Sequence, residues 1–161
     1  MIDFIRTLPH GVVTMRGVSS RRRIAQFGFR YDFDSARLTP TTPLPAELVD
    51  ARERAAARAG VAPEEFAETL VTEYPPGAGI GWHKDARPFG IVAGISLGAE
   101  CRMRFQKGQG TDRVTTALAL PPRSLYLLTG PARMQWEHTI PAVKEARWSI
   151  TFRTIKPNAL Y

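Results

Sequence analysis

Arg147-Trp-Ser-Ile-Thr-Phe-Arg153 alternates without a break between two kinds of side chain. In an extended chain successive side chains point to opposite faces. Arg147, Ser149, Thr151 and Arg153 therefore share one face, and Trp148, Ile150 and Phe152 share the other. The stretch reads as a half-buried β-strand, and its polar face decides how the rest is understood. If that face looks into a cavity, two guanidinium groups need compensation there, because an unpaired buried charge is very costly. A dicarboxylate ligand would supply it through charge-assisted, bidentate hydrogen bonds. If the face looks into solvent, the three apolar residues simply pack inward. The strand alone fits both.

Outward from this strand the pattern repeats. Leu70–Tyr74, Ile80–Lys84, Ile91–Leu97, Cys101–Gln106, Arg113–Leu120, Ser124–Thr129, Gln135–Ile140 and Arg147–Ile155 read as short strands. Turn residues separate them, most clearly Pro75-Pro-Gly-Ala-Gly79. Many short strands at close spacing predict an antiparallel sandwich or barrel. Ahead of them, Pro45 to Gly60 is rich in Ala, Leu, Glu and Arg, with Pro at its start and Gly at its end, and reads as a helix. A shorter helix is expected at Pro63–Thr69, and a strand or hairpin over Arg22–Phe33. The fold class is mainly β (α+β), with a helical layer preceding the sheets and packed on one of them.

The chain has 161 residues, which suits a single domain over residues 1–161 with one core. No apolar run is long enough to cross a bilayer, and the start lacks the basic and apolar blocks of a secretion signal. One cysteine, Cys101, cannot form an internal disulfide, which fits a cytoplasmic setting. The net charge of +7 and pI near 10.2 attract polyanions, nucleic acid foremost. Of the 22 basic residues only Lys84, Lys107, Lys144 and Lys156 are lysines, leaving 18 arginines. Phosphate binding and a GC-rich genome both account for that bias. No obligate protein partner is evident.

Three further residues carry chemistry. In Gly81-Trp-His-Lys-Asp85, a strand would point His83 and Asp85 to one face, where an imidazole and a carboxylate can occupy adjacent corners of a metal's coordination sphere. Such a pair is short and common. His138, in Gln135-Trp-Glu-His-Thr-Ile140, adds a second histidine from a distant strand. Two histidines and one carboxylate form the facial triad that leaves positions open on non-haem iron(II). The plainer account of His138 is a hydrogen-bonded strand residue.

The order H-x-D, distant His, then the R-x₅-R of Arg147 and Arg153 resembles the AlkB family of iron(II)- and 2-oxoglutarate-dependent dioxygenases. The resemblance runs from about Arg22 to Lys156 and is tightest at Glu73–Asp85, Pro122–Gly130 and Arg147–Arg153. Ile91-Val-Ala-Gly-Ile-Ser-Leu-Gly98 also matches the strand that follows the family's first ligands. The resemblance implies a double-stranded β-helix, or jelly roll. It implies Fe(II) on His83, Asp85 and His138, and 2-oxoglutarate on Arg147, with Tyr74, Ser149, Thr151 and Arg153 beside it. O₂ is the second co-substrate. It implies N-methylated bases of DNA or RNA as substrate, although some members act on protein.

Residues 14–45 fall where the family carries its nucleotide-recognition lid. Arg21, Arg22, Arg23, Phe29 and Tyr31 are the candidate contacts to phosphate and base. Relatives usually carry another strand or helix ahead of the region matching Thr14 to Gly28. Two positions depart from the pattern. Thr72 stands where many members have asparagine, and Arg87 where the prototype has an acidic residue that helps read the base. The same chemistry on a protein or small molecule, and a non-catalytic metal-binding jelly roll, remain as alternatives.

Overall fold

The computed structural model describes every residue except 16, 17, 34, 160 and 161, and every side chain but theirs and those of residues 15, 18 and 158. In chain order the elements are α1 (Ile2–Thr7), β1 (Gly11–Met15), β2 (Val18–Phe27), β3 (Phe29–Asp32), β4 (Arg37–Pro40), α2 (Val49–Ala59), β5 (Phe66–Tyr74) and β6 (Ile80–His83). They continue with β7 (Phe89–Gly98), β8 (Cys101–Lys107), β9 (Val114–Leu120), β10 (Ser124–Leu128), α3 (Gly130–Met134), β11 (Glu137–Ile140) and β12 (Arg147–Ile155).

The strands form a major sheet, β1-β2-β5-β12-β7-β10, and a minor sheet, β6-β11-β8-β9, antiparallel throughout. The alternating strand is β12, paired on both edges in the middle of the major sheet. Its register aligns Arg147 with Tyr74, Ser149 with Thr72 and Arg153 with Glu68 on β5, and Ser149 with Ser96 on β7. The period-two pattern therefore extends sideways across strands. One face of the sheet is a run of polar and aromatic side chains, the other an apolar floor.

The helical layer covers the apolar floor. Leu48, Ala51, Ala55 and Ala56 are buried in one cluster with Val71, Ala93, Trp148, Ile150 and Phe152. Alanines on the inward stripe of α2 let its backbone approach the sheet closely, while Arg54 and Asp50 pair on the exposed side at 2.8 Å. Gly60 ends α2 in the left-handed region, at φ 71°, with its N–H on Ala56 O. The N-terminal helix α1 adds Ile5 to the same cluster. A second cluster, including Met103, Phe105, Leu128 and Ile140, lies between the two sheets. Among the described residues no helix is long and apolar enough to cross a membrane.

Two expected elements differ. Pro63–Thr69 is not a helix: one 3₁₀ turn at Pro63–Glu65 gives way to β5 at Phe66. Glu65 accepts from the Ala62 N–H at 2.9 Å, which stabilises the turn, but pairing with β12 then takes over. Arg22–Phe33 is neither one strand nor a hairpin. Gly28, at φ 77°, turns the chain out of the major sheet, and a Cβ there would stand 2.0 Å from Ala67 O. Beyond it β3 pairs with β4 in a separate hairpin. Helix α1 and strand β1 carry too little periodicity to be read in advance.

Candidate metal and co-substrate site

A cavity of about 430 Å³ opens between the two sheets. His83, Asp85 and His138 line it from the minor-sheet side, and Ser149, Thr151 and Arg153 from the major. His83 and His138 are cross-strand partners on β6 and β11, with ring centroids 4.3 Å apart. His83 Nδ1 lies 2.8 Å from Gly81 O, so the tautomer that donates there presents Nε2 as the free donor atom. Asp85 sits two residues past the end of β6, so the strand pleat does not aim it. Arg153 does, through Nε to Oδ1 at 2.9 Å and a second terminal nitrogen at 2.8 Å. The other oxygen, Oδ2, is left 3.9 Å from His138 Nε2.

The electrostatics suit metal ligands. Burial, then the neighbouring His83, pushes the His138 imidazole down to about 4. Burial likewise lowers His83. Burial alone would raise the Asp85 carboxyl, but Arg153, and after it His138 and His83, outweigh it and hold the group at about 2. Near neutral pH both imidazoles are neutral and the carboxylate is ionised, the states a metal requires. The His138–Asp85 contact is accordingly not an ion pair. Among the described residues no three such side chains already close around one point. Adjacent donors at bonds of roughly 2.1 Å stand about 3 Å apart, so Asp85 Oδ2 and His138 Nε2 need about 1 Å of approach. The donor set, N, N and O with an open side, fits iron(II).

Arg147 is wholly buried. Its Nε donates to Ser96 Oγ at 3.1 Å, and its guanidinium lies over the Tyr74 ring at 5.0 Å. Both terminal nitrogens are buried without a hydrogen-bond partner among the described residues. Tyr74, Thr72 and Tyr126 line the cavity next to it. The Tyr126 ring lies across Gly94, where a Cβ would come within 2.2 Å of the ring. Burial raises the Tyr126 hydroxyl well above its ordinary value, so it remains a neutral donor. A neutral phenol and a charged guanidinium with two idle donors together suit a carboxylate.

The substrate candidates separate by strand parity. Arg22 and Tyr31 line the cavity mouth. Arg23 faces the opposite side of β2 and pairs with Glu73 at 2.6 Å. Arg21 is exposed, with its guanidinium beside Gly77. Phe29 is half-buried and Arg87 exposed; neither lines the cavity. Tyr31 packs edge-on against Phe33 and Phe89. Within the expected lid, 14–45, Arg16, Gly17 and Asp34 lie outside the described residues.

Besides Ser96 and Tyr126, two further contributors were not anticipated. Glu68, fully buried, accepts from the second arm of Arg153 at 2.9 Å, so one guanidinium bridges Glu68 and Asp85. Burial raises the Glu68 carboxyl in spite of Arg153. The face-sharing spacing of Glu68, Leu70, Thr72 and Tyr74 would have revealed it had β5 been drawn from Phe66. Arg133, on α3, donates to the carbonyls of Ala86, Phe89 and Gly90 and pins the loop after Asp85. No local sequence signal marks it.

The model of the 2OG-Fe(II) oxygenase superfamily matches residues 9–153. A protein of Acanthamoeba polyphaga mimivirus, named Uncharacterized protein L905, is 35% identical over 101 residues, covering 55% of this chain and 48% of that one. The tRNA (carboxymethyluridine(34)-5-O)-methyltransferase ALKBH8 of Macaca fascicularis is 30% identical over 124 residues, covering 74% of this chain and 18% of that one. The Alkylated DNA repair protein ALKBH8 homolog of Arabidopsis thaliana is 35% identical over 91 residues, covering 46% and 26%. The chain thus spans less than half the length of these curated relatives. The solved structure of OsALKBH1 superposes with a TM-score of 0.67 at 16% identity, over 95% of this chain and 90% of that one, a likeness of fold.

Proposed function

The chain belongs to the 2OG-Fe(II) oxygenase superfamily and is AlkB-like, and on that premise we propose that it is an iron(II)- and 2-oxoglutarate-dependent dioxygenase that demethylates N-methylated bases of nucleic acid. One observation carries the reading. The Arg147 guanidinium is buried, its two terminal nitrogens are idle, and it adjoins the cavity that also holds His83, Asp85 and His138. A buried charge with spare donors is what a bound dicarboxylate would complete.

Iron with 2-oxoglutarate and O₂ supplies the oxidising chemistry, in which decarboxylation to succinate and CO₂ is coupled to hydroxylation of a C–H bond. His83, Asp85 and His138 would hold the metal. Arg153, braced by Glu68, fixes one Asp85 oxygen and leaves the other for coordination. Arg147 and Tyr74 would grip the far carboxylate, with Ser149 and Thr151 alongside. A methyl on nitrogen, once hydroxylated, leaves as formaldehyde. The basic net charge and the names of the matched relatives, a tRNA methyltransferase and an alkylated-DNA repair protein, support nucleic acid as the substrate class. Arg22 and Tyr31 at the cavity mouth offer phosphate and base contacts.

The test is incubation with Fe(II), 2-oxoglutarate and a panel of methylated DNA and RNA oligonucleotides, reading formaldehyde and succinate together. Both products from at least one oligonucleotide are expected. Succinate without formaldehyde from any oligonucleotide would move the substrate to protein or a small molecule. No succinate at all, even uncoupled, would leave a metal-binding jelly roll without this activity.

A further inference from the structure

A second cavity, of about 370 Å³, opens beside the turn of the β8–β9 hairpin. Lys84, Lys107 and Arg113 line it, with Gln106, Gln135 and Glu137 between them. Its one acid, Glu137, accepts from the neutral Gln106 Nε2 at 2.8 Å and keeps its charge. Lys107 Nζ donates to the neutral Gln135 Oε1 at 2.5 Å and forms no ion pair among the described residues. Among the described residues neither Lys84 nor Arg113 forms an ion pair. Three cations thus converge on a polar hollow lined by one carboxylate, which leaves an excess of positive charge.

Its position matters as much as its charge. Lys84 lines both this hollow and the large cavity, so the two meet at the residue between His83 and Asp85. The basic character continues along β8, where Arg102 and Arg104 are exposed on the same face as Gln106. Arg104 stands over the Trp82 ring at 5.8 Å, and Trp82 is 38% exposed. Cations interleaved with a part-exposed aromatic ring are suited to a single strand, with phosphates on the cations and a base against the ring.

We propose that the Lys84–Lys107–Arg113 hollow, extended by Arg102, Arg104 and Trp82, binds the backbone of the substrate strand beside the residue held in the large cavity. This rests on nucleic acid as the substrate class and adds where the polymer runs: across the outer face of the minor sheet, not only past the β2–β4 region. A strand seated there accounts for a part-exposed tryptophan and for several cations that form no ion pair among the described residues.

The experiment compares Lys107→Glu/Arg113→Glu with Arg54→Glu/Arg58→Glu, an equal charge change on the exposed side of α2 across the molecule. Binding of a short methylated single-stranded oligonucleotide is measured by fluorescence anisotropy over a range of salt, with uncoupled 2-oxoglutarate turnover as the check on folding. Each lost phosphate contact flattens the log–log salt slope by about 0.7 for a single strand. The hollow variant should lose about 1.4 from the slope and roughly tenfold or more in affinity at low salt. Its KM for the oligonucleotide should rise while uncoupled turnover holds. The α2 variant should keep the wild-type slope. Equal losses in both variants would assign the effect to the overall field and overturn the proposal. Unchanged slopes in both would overturn it while leaving the substrate class intact. A wild-type protein that binds no oligonucleotide would overturn the substrate class and this proposal together.

Discussion

The two faces of β12 obey opposite rules. The outer face, Trp148, Ile150 and Phe152, is buried under α1 and α2 and has every van der Waals partner it needs. The inner face, Arg147, Ser149, Thr151 and Arg153, is almost as deeply buried but is not self-sufficient. Arg153 is satisfied by two carboxylates, whereas Arg147 has one hydrogen bond to Ser96 and two idle nitrogens. One strand, by alternation alone, serves the stability of the molecule on one side and a binding site on the other. The outer face is closed by apolar packing, with one neutral buried polar atom, Trp148 Nε1, lacking a partner among the described residues; the inner face holds two idle donors on a charged group.

The comparison is broken most severely at the metal. Asp85→Ala should abolish metal-dependent succinate formation, because it removes a proposed ligand and leaves Arg153 with Glu68 alone. Calorimetric titration with Mn(II) should show the metal site lost along with the turnover. Next in size is the outer face. Phe152→Ala should cost about 3–5 kcal/mol by opening a cavity under α2. That corresponds to a Tm lower by roughly 10 °C at this chain length. At a temperature where the variant is still folded, its affinity for 2-oxoglutarate should be near that of wild type. A comparable loss in that affinity would mean that the two faces are not separable.

Acid tests the inner face more gently. His138 is held at about 4 in the fold, against about 6.5 for a free histidine. Between those values the unfolded chain binds the extra proton, so stability rises with pH across that window and falls as pH drops from 6.5 towards 4. Asp85 adds a second loss below about pH 4, as its carboxylate is protonated on the way to about 2. Denaturant melts of the metal-free protein should show both, and His138→Gln should reduce the first, leaving the part that belongs to His83.

How much of this was legible in the sequence follows from what each feature depends on. The strands carrying His138, Arg147 and Tyr74 announce themselves because alternation is local and needs no partner to be seen. The convergence of His83 with Asp85 was legible as a motif, yet its cause was not. Asp85 lies beyond its strand and is aimed by Arg153, 68 residues away in sequence. Glu68 stayed hidden because a Pro-Glu-Glu start suggested helix, and only pairing with β12 draws it into a strand. The run Arg21-Arg-Arg23 reads as one patch on paper, but the pleat sends Arg22 to the cavity and Arg23 to Glu73. Arg133 acts through backbone carbonyls, which no side-chain pattern records.

The most direct measurement is the thermal stability of wild type and Arg147→Met, each with Mn(II), with and without 2-oxoglutarate. Wild type should gain about 2.7 kcal/mol at a hundredfold excess over Kd. Arg147→Met, which replaces the idle charge with an apolar chain of similar length, should be no less stable without ligand and gain nothing from it. An equal gain in both proteins, or none in wild type, would contradict the assignment of Arg147 to the co-substrate and the contrast between the two faces of β12.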